Sequence, residues 1–340
     1  MPRNITIVGA GAVGGLLASR LAQSGVPIKV LARGAQLEAI RSRGLTLIED
    51  GESKIAHAHA TDDPTLLGAQ DIVFVCLKGH ALVDAAASLA PLIGPHTRIV
   101  SVMNGVPWWF LHQFGGACAD RRLESVDPGG VVSAALPVAQ ADGLVVHLAA
   151  SVRKPGVIVR NKGNLLIARA PHDTSDAVQH EIVRLLQDAR FDVSLASSIQ
   201  HEIWAKLWGN MTMNPISVLT GSTADVILDD PLTARLVAEV MREAQAIGAK
   251  LGLDMGMSVE QRNAQTRQLG AFKTSMLQDA EAGRPMEIDG IVSAPYELAR
   301  MSGVPTPYLD MLLGLIRLKG RSMGLYAGGQ MLTLPHPDVA

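Results

Sequence analysis

Residues 5–15 read Ile5-Thr6-Ile7-Val8-Gly9-Ala10-Gly11-Ala12-Val13-Gly14-Gly15. Four β-branched residues in a row predict a short buried strand. Beyond them Val13, Leu16, Leu17 and Leu21 keep helical spacing up to Gly25, and Ile28-Lys29-Val30-Leu31 predicts a second strand. Strand, helix and strand within about 30 residues make the βαβ unit of a parallel sheet. Between the first strand and its helix stands Gly9-x-Gly11-x-x-Gly14. In that setting the spacing has a mechanism. Gly9 permits the tight turn. Gly11 lets the backbone approach a pyrophosphate seated on the helix N–H groups, and Gly14 lets helix and strand pack closely. Gly9, Ala10, Gly11, Ala12, Val13 and Gly14 are expected to cradle a dinucleotide. The plain alternative is a glycine-rich turn without a ligand.

Outward from this unit, Ile72 to Leu77 is apolar on both faces, as a central parallel strand must be. Ala81 to Leu92 reads as helix and Arg98 to Val102 as strand. Alternating runs at Leu144–Leu148 and Gly156–Val159 are expected to complete the sheet, followed by a helix over Ser175–Asp188 and a strand over Phe191–Leu195. After Ser197 the strands stop. Ser197 and Gln200 suggest a capping box that opens a helix running to Asn214-Pro215, where it is expected to end or kink. Asp230-Pro231 opens a second, with proline at the first helical position. Ser258–Ala282 reads as a third, Glu287–Met301 as a fourth bent at Pro295, and Thr306-Pro307 starts a fifth to Lys319. The expectation is an α/β N-terminal Rossmann-type domain over 1–197 and an all-α C-terminal domain over 198–326, with the site in the cleft between them. Residues 327–340 read as a flexible tail.

Composition narrows the function classes. The chain has 340 residues with 30 Lys plus Arg against 32 Asp plus Glu, a net charge of −2, which argues against a phosphate-tracking nucleic-acid surface. Hydrophobic residues make up 48% and charged residues 18%, enough for packed cores and too apolar for disorder. Cys76 and Cys118, the only cysteines, cannot build a disulfide framework or a four-cysteine zinc site. No metal is expected, and the cysteine usage fits a reducing cytoplasm. Arg3 and the apolar run after it imitate a secretion signal, but four glycines weaken such a helix and no small-residue cleavage region follows. No uncharged apolar run reaches the length of a membrane span.

Charged and amide residues stand at the places where ligands of such sheets gather. The second strand ends Leu31-Ala32-Arg33, where an acid would accept from an NAD ribose. A guanidinium there pairs with a 2′-phosphate instead, so Arg33 favours NADP; its alternative is a solvated surface residue. Lys78, after the strand Ile72–Leu77, is placed to add charge to the same phosphate. Asn104-Gly105 follows another strand end and reads either as a turn or as an amide reaching cofactor and substrate. In the helix after Ser197, Lys206, Asn210 and Asn214 recur every four residues and share one face. A solvent-facing polar stripe is the bland reading. The sharper one is a lysine desolvated enough to act as a general acid, flanked by two amides. Ser275 can donate to a carboxylate. Glu287 opens a helix, where its charge also suits the dipole.

On these residues the sequence resembles the ketopantoate reductase (2-dehydropantoate 2-reductase) family, from Ile5 to about Leu318. The resemblance rests on Gly9-x-Gly11-x-x-Gly14, Arg33, Leu77-Lys78, Asn104-Gly105, Glu202-x-Trp204-x-Lys206-Leu207, Asn210, Asn214-Pro215, Ser275-Met276-Leu277-Gln278-Asp279 and Glu287-Ile288-Asp289. It implies NADP(H)-dependent reduction of 2-dehydropantoate to pantoate, in pantothenate and coenzyme A biosynthesis. By that likeness Arg33 and Lys78 hold the 2′-phosphate and Asn104 lies near nicotinamide and substrate. Lys206 gives the proton, Glu287 orients it, and Asn210, Asn214 and Ser275 bind substrate. The implied partner is a small 2-oxo acid; no nucleic acid or membrane enters, and a homodimer is compatible with the apolar helical half. The chain departs from the family pattern at Val292 and Ser293, where an asparagine is common, and at Phe272 and Lys273, where a polar residue is. The stretch 107–128, opening on Trp108, Trp109 and Phe110, is long. These departures leave room for a more apolar 2-oxo acid as substrate. A regulatory protein that binds NADP without turnover is a third reading.

Overall fold

The computed structural model describes residues 3–170 and 176–328. The chain forms two compact units, one of Met1–Met103 with Val131–Glu202 and the other of Asn104–Gly130 with Ile203–Ala340.

The first unit is built on a ten-stranded sheet. Its strands are β1 (Ile5–Val8), β2 (Ile28–Leu31), β3 (Leu45–Glu49), β4 (Glu52–Ala56), β5 (His59–Thr61), β6 (Gln70–Val75), β7 (Ile93–Ser101), β8 (Ala141–Lys154), β9 (Val157–Arg169) and β10 (Asp192–Ala196). They lie in the order β4-β3-β9-β8-β7-β6-β1-β2-β5, with β10 on β9. β1 pairs in parallel with β2 on one side and β6 on the other. The strand order therefore reverses at β1, and the carboxyl end of β1 is the place where open α/β sheets bind ligands. Helices α1 (Ala12–Gln23), α2 (Gly34–Arg43), α3 (Gly79–Leu89), α4 (Val131–Ala135) and α5 (Ala177–Asp188) belong to this unit. Ile5, Ile7, Leu16, Leu21, Val30 and Phe74 form part of its core, so the βαβ pattern is realised. β8 and β9 are far longer than the two short runs expected there and pair antiparallel along most of their length. The pattern reading assigned nothing to residues 34–61, which hold α2 and three strands. Ser175 and residues 329–340 of the expected tail lie outside the described residues.

The second unit is helical, with α6 (Ile199–Thr220), α7 (Ala224–Asp229), α8 (Pro231–Lys250), α9 (Val259–Arg267), α10 (Ser275–Glu281), α11 (Ala294–Ser302) and α12 (Pro307–Ser322). The first turn of α6 belongs to the other unit. Asp230 caps α8 by accepting from Leu232 and Thr233 N–H at 3.0 and 2.9 Å, as Asp230-Pro231 predicted. Three expectations are corrected. α6 does not stop at Pro215 but runs five residues further, to Thr220. Proline removes one hydrogen bond, and burial of Met211, Ile216 and Val218 holds the helix across the gap. The single helix expected over Ser258–Ala282 is two, α9 and α10, with Gly270 at φ +68° in the break. Residues 104–130 group with the helical unit, not with the sheet domain expected over 1–197. Their Val106, Phe110, Leu111, Cys118 and Leu123 sit in the helical core. Trp108, Trp109 and Phe110 are all buried. No helix among the described residues is long and apolar enough to cross a membrane.

Candidate active site

The turn between β1 and α1 has the geometry its glycines require. Gly9 takes φ +93°, and its N–H donates to the Leu31 carbonyl at 2.9 Å, tying the turn to β2. A Cβ at Gly14 would lie 2.0 Å from the Gly9 oxygen, so only glycine fits there. Gly11 is different: a Cβ on it would meet nothing within 4 Å. Protein packing does not require glycine at that position, whereas close approach of a ligand does. Gly11 is also the N-cap of α1, with no side chain capping the helix and no acid in its first turn. Its N–H groups are left for an anion. A cavity of about 350 Å³ opens here, lined by Gly9, Ala10, Gly11, Leu31, Arg33, Gln36, Asp62 and Leu77 among others. The residues present fit a dinucleotide.

Arg33 lies exposed on that cavity as the N-cap of α2. Lys78 occupies the N-cap position of α3, and the cavity lining does not include it. Sequence reading missed Gln36. Its amide donates to the Ala10 carbonyl at 2.7 Å and accepts from the Gly156 N–H at 3.0 Å, pinning the glycine turn to α2 and to the β8–β9 hairpin. A lone glutamine on a helix carries no local signal for such a role. Cys76, behind the turn, has its thiol pushed up to about 12 by burial.

In the helical unit, α6 carries Lys206, partly buried, whose ammonium donates to the Asn104 side-chain oxygen at 2.8 Å. Burial lowers the Lys206 pKa to about 8, and the Glu287 carboxylate works against that fall. The three residues are brought together by backbone geometry. Gly105 has φ +80°, and a Cβ on it would lie 2.5 Å from the Gly290 carbonyl atoms. Val106 N–H donates to the Gly290 oxygen at 2.8 Å. That oxygen is available for a simple reason. Asp289–Ser293 forms a π-helical turn in which the Ala294 N–H reaches back to the Asp289 carbonyl. Pro295, next in line, has no N–H to offer Gly290. Glu287 stands two residues ahead of this turn. Asp289 itself accepts from Ser293 at 2.9 Å and Tyr326 at 2.6 Å, a holding role within the unit.

Asn210 follows Lys206 by one turn and is half-buried. Asn214 is 3% exposed, and its amide nitrogen has no partner among the described residues. Thr274 caps α10 and shares a 2.7 Å hydroxyl contact with Ser217, so α10 is pinned to α6 one turn beyond Asn214. Ser275 is thereby left exposed at the start of α10. Val292 is fully buried in the helical core and Ser293 bonds Asp289, so neither offers itself to a substrate. Phe272 is 41% exposed. Among the described residues, no group of three or more His, Cys, Asp or Glu is placed to hold a metal ion.

The family model "Ketopantoate reductase PanE/ApbA" matches residues 5–108, and "Ketopantoate reductase PanE/ApbA C terminal" matches residues 198–320. The 2-dehydropantoate 2-reductase of Mesorhizobium japonicum is 44% identical over 324 residues, 95% of this chain and 99% of that one. That of Pyrococcus horikoshii is 27% identical over 93% of this chain and 97% of that one. A solved structure from Ralstonia solanacearum MolK2, described as a candidate ketopantoate reductase, is 48% identical with a TM-score of 0.91, covering 96% and 100% of the two chains. D-mandelate dehydrogenase in a ternary structure with NADH and anilino(oxo)acetate shares the fold, at 20% identity and TM-score 0.78 over 94% of this chain and 99% of that one.

Proposed function

The chain belongs to the ketopantoate reductase family, and from that premise we propose that it reduces 2-dehydropantoate to pantoate with NADPH, using Lys206 as the proton donor. It is an oxidoreductase. The observation that carries the mechanism is Lys206 itself: half-buried, held by Asn104 at 2.8 Å, with its proton affinity lowered to about 8.

When bound, a nicotinamide coenzyme supplies a hydride to the ketone carbon, which leaves negative charge on the ketone oxygen. The Lys206 ammonium answers that charge in a partly desolvated setting, where it counts for more than in water. It then gives up its proton. The neutral amine that remains is the form burial prefers, so the transfer is helped from both ends. Asn104 accepts one ammonium N–H and fixes its direction. Glu287 holds the affinity high enough for Lys206 to stay protonated near neutral pH. Asn210, Asn214 and Ser275 are assigned to the substrate's polar groups. Arg33, at the end of β2 where an acid would select NAD, is assigned with Lys78 to the 2′-phosphate. The reaction is placed in the cytoplasm, on a small-molecule substrate.

The test is product formation from NADPH and a panel of 2-oxo acids, followed by mass spectrometry. Pantoate formed with the highest kcat/KM is the expected result. A strong preference for a bulkier, apolar 2-oxo acid would favour the second reading, whose remaining support is the exposed Phe272. No turnover of any 2-oxo acid would overturn both.

A further inference from the structure

We propose that Arg262 is the group that grips the substrate carboxylate, a step that rests on the 2-oxo acid reading above. Arg262 lies on α9, which Ser258 and Gln261 close with a reciprocal capping box. Five buried or partly buried arginines elsewhere in the chain face an acid: Arg20 meets Glu49, Arg98 meets Asp142, Arg160 meets Asp50, Arg169 meets Asp176 and Arg300 meets Asp310, while Arg317 turns its Nε to the Tyr326 hydroxyl. Arg262 has no acid partner among the described residues. Its one side-chain hydrogen bond is a long 3.4 Å reach to Gln265, and its buried Nε has no partner. Burial also lowers its proton affinity. Leaving a buried Nε–H without an acceptor is costly, and an anion that takes it together with a neighbouring N–H removes the cost.

The position of the fork identifies the anion. It lies on Gly209 of α6, where an added Cβ would come within 3.0 Å of Nη2. Glycine is disfavoured inside a helix, and here it leaves the space the guanidinium occupies. Gly209 is three residues from Lys206 and adjacent to Asn210. At 100° per residue it stands about 60° from Lys206 around the helix and about 4.5 Å along it. In a 2-oxo acid the carboxylate and the ketone sit on neighbouring carbons. The groups that recognise them must therefore lie close together. Lys206, assigned to the ketone oxygen, and Arg262, seated over Gly209 and assigned to the carboxylate, stand at neighbouring positions along α6.

The test compares 2-dehydropantoate with its primary amide, which keeps the ketone and lacks the negative charge. For Arg262→Gln the KM for the acid should rise roughly 10- to 100-fold, the worth of a charge-assisted pair. The KM for the amide and the affinity for NADPH should change less than threefold, and Arg262→Lys should recover part of the loss. Gly209→Ala, which displaces the fork without removing charge, should reproduce the acid-selective effect. Thermal melts should show Arg262→Gln at least as stable as the wild type, because it removes a buried donor that has no partner. Equal losses for acid and amide, or no loss for either, would overturn the proposal; so would a lowered melting temperature with both KM values raised. If the wild type reduces no 2-oxo acid, the function reading fails, and calorimetry with oxamate judges Arg262 alone. Oxamate binding lost in Arg262→Gln supports the anchor, and unchanged binding sinks it.

Discussion

Val106 donates its backbone N–H to the Gly290 carbonyl at 2.8 Å, and this bond sets where Asn104 and Glu287 stand relative to Lys206. It exists because Pro295 leaves the Gly290 oxygen without a helical donor. The contact is so close that Gly105 admits no side chain.

Gly105→Ala should therefore damage both stability and catalysis. A left-handed alanine costs about 1–2 kcal/mol, and the clash with Gly290 adds to it. Denaturant titration should show a lowered midpoint with unchanged slope. kcat should fall further than NADPH affinity, because the displaced group is Asn104 rather than the glycine turn. An unchanged midpoint would mean the backbone contact is dispensable.

Removing the proton donor should act on turnover. Lys206→Ala should lower kcat by about 10²–10⁴-fold, the usual range for a positioned acid, with NADPH affinity nearly intact. Glu287→Ala should lower kcat less. The double variant should lose less than the sum of the two, since the residues act as one unit. Near-normal kcat in Lys206→Ala would refute its role, and steady-state kinetics with coenzyme titration decides.

The pH profile follows from the signs. Reduction needs protonated Lys206, whose affinity is lowered to about 8 by burial and supported by Glu287. The rate of ketone reduction should therefore fall as pH rises through about 8. Glu287→Gln removes the supporting charge, so its falling limb should move to lower pH. A limb that stays in place or moves up would show that Glu287 does not face the ammonium.

Coenzyme choice tests the other unit. Arg33→Ala should weaken NADPH by roughly 10- to 100-fold and NADH little, as one charge-assisted pair is worth about 1.5–3 kcal/mol. Fluorescence titration of both coenzymes suffices. Equal losses would remove Arg33 from the 2′-phosphate site.

The parts of the fold that could be read from sequence are those whose cause is local. β1, α1 and β2 follow from β-branched runs and a glycine turn, and α8 announces itself through Asp230-Pro231. The Lys206, Asn210 and Asn214 stripe needs only helical spacing. What escaped depends on partners far along the chain. Gln36 matters because of Ala10 and Gly156. Pro295 signalled a bend, but its effect on Gly290 becomes meaningful only once Val106 arrives. Pro215 looked like a stop because local rules cannot weigh the core that carries α6 past it. The break at Gly270 was hidden by helix formers on either side of it.

The assignment of residues 104–130 to the helical unit has a consequence for how this protein can be made or divided. The chain passes from one unit to the other three times, after Met103, Gly130 and Glu202. During synthesis Phe110, Leu111 and Leu123 leave the ribosome long before the helices that cover them. They must wait, apolar and uncovered, while the strands and helices of residues 131–202 are completed. A single cut in the gene cannot yield two self-sufficient halves. A fragment ending at residue 197 would carry those side chains without their core, and a fragment starting there would have a helical core with a gap.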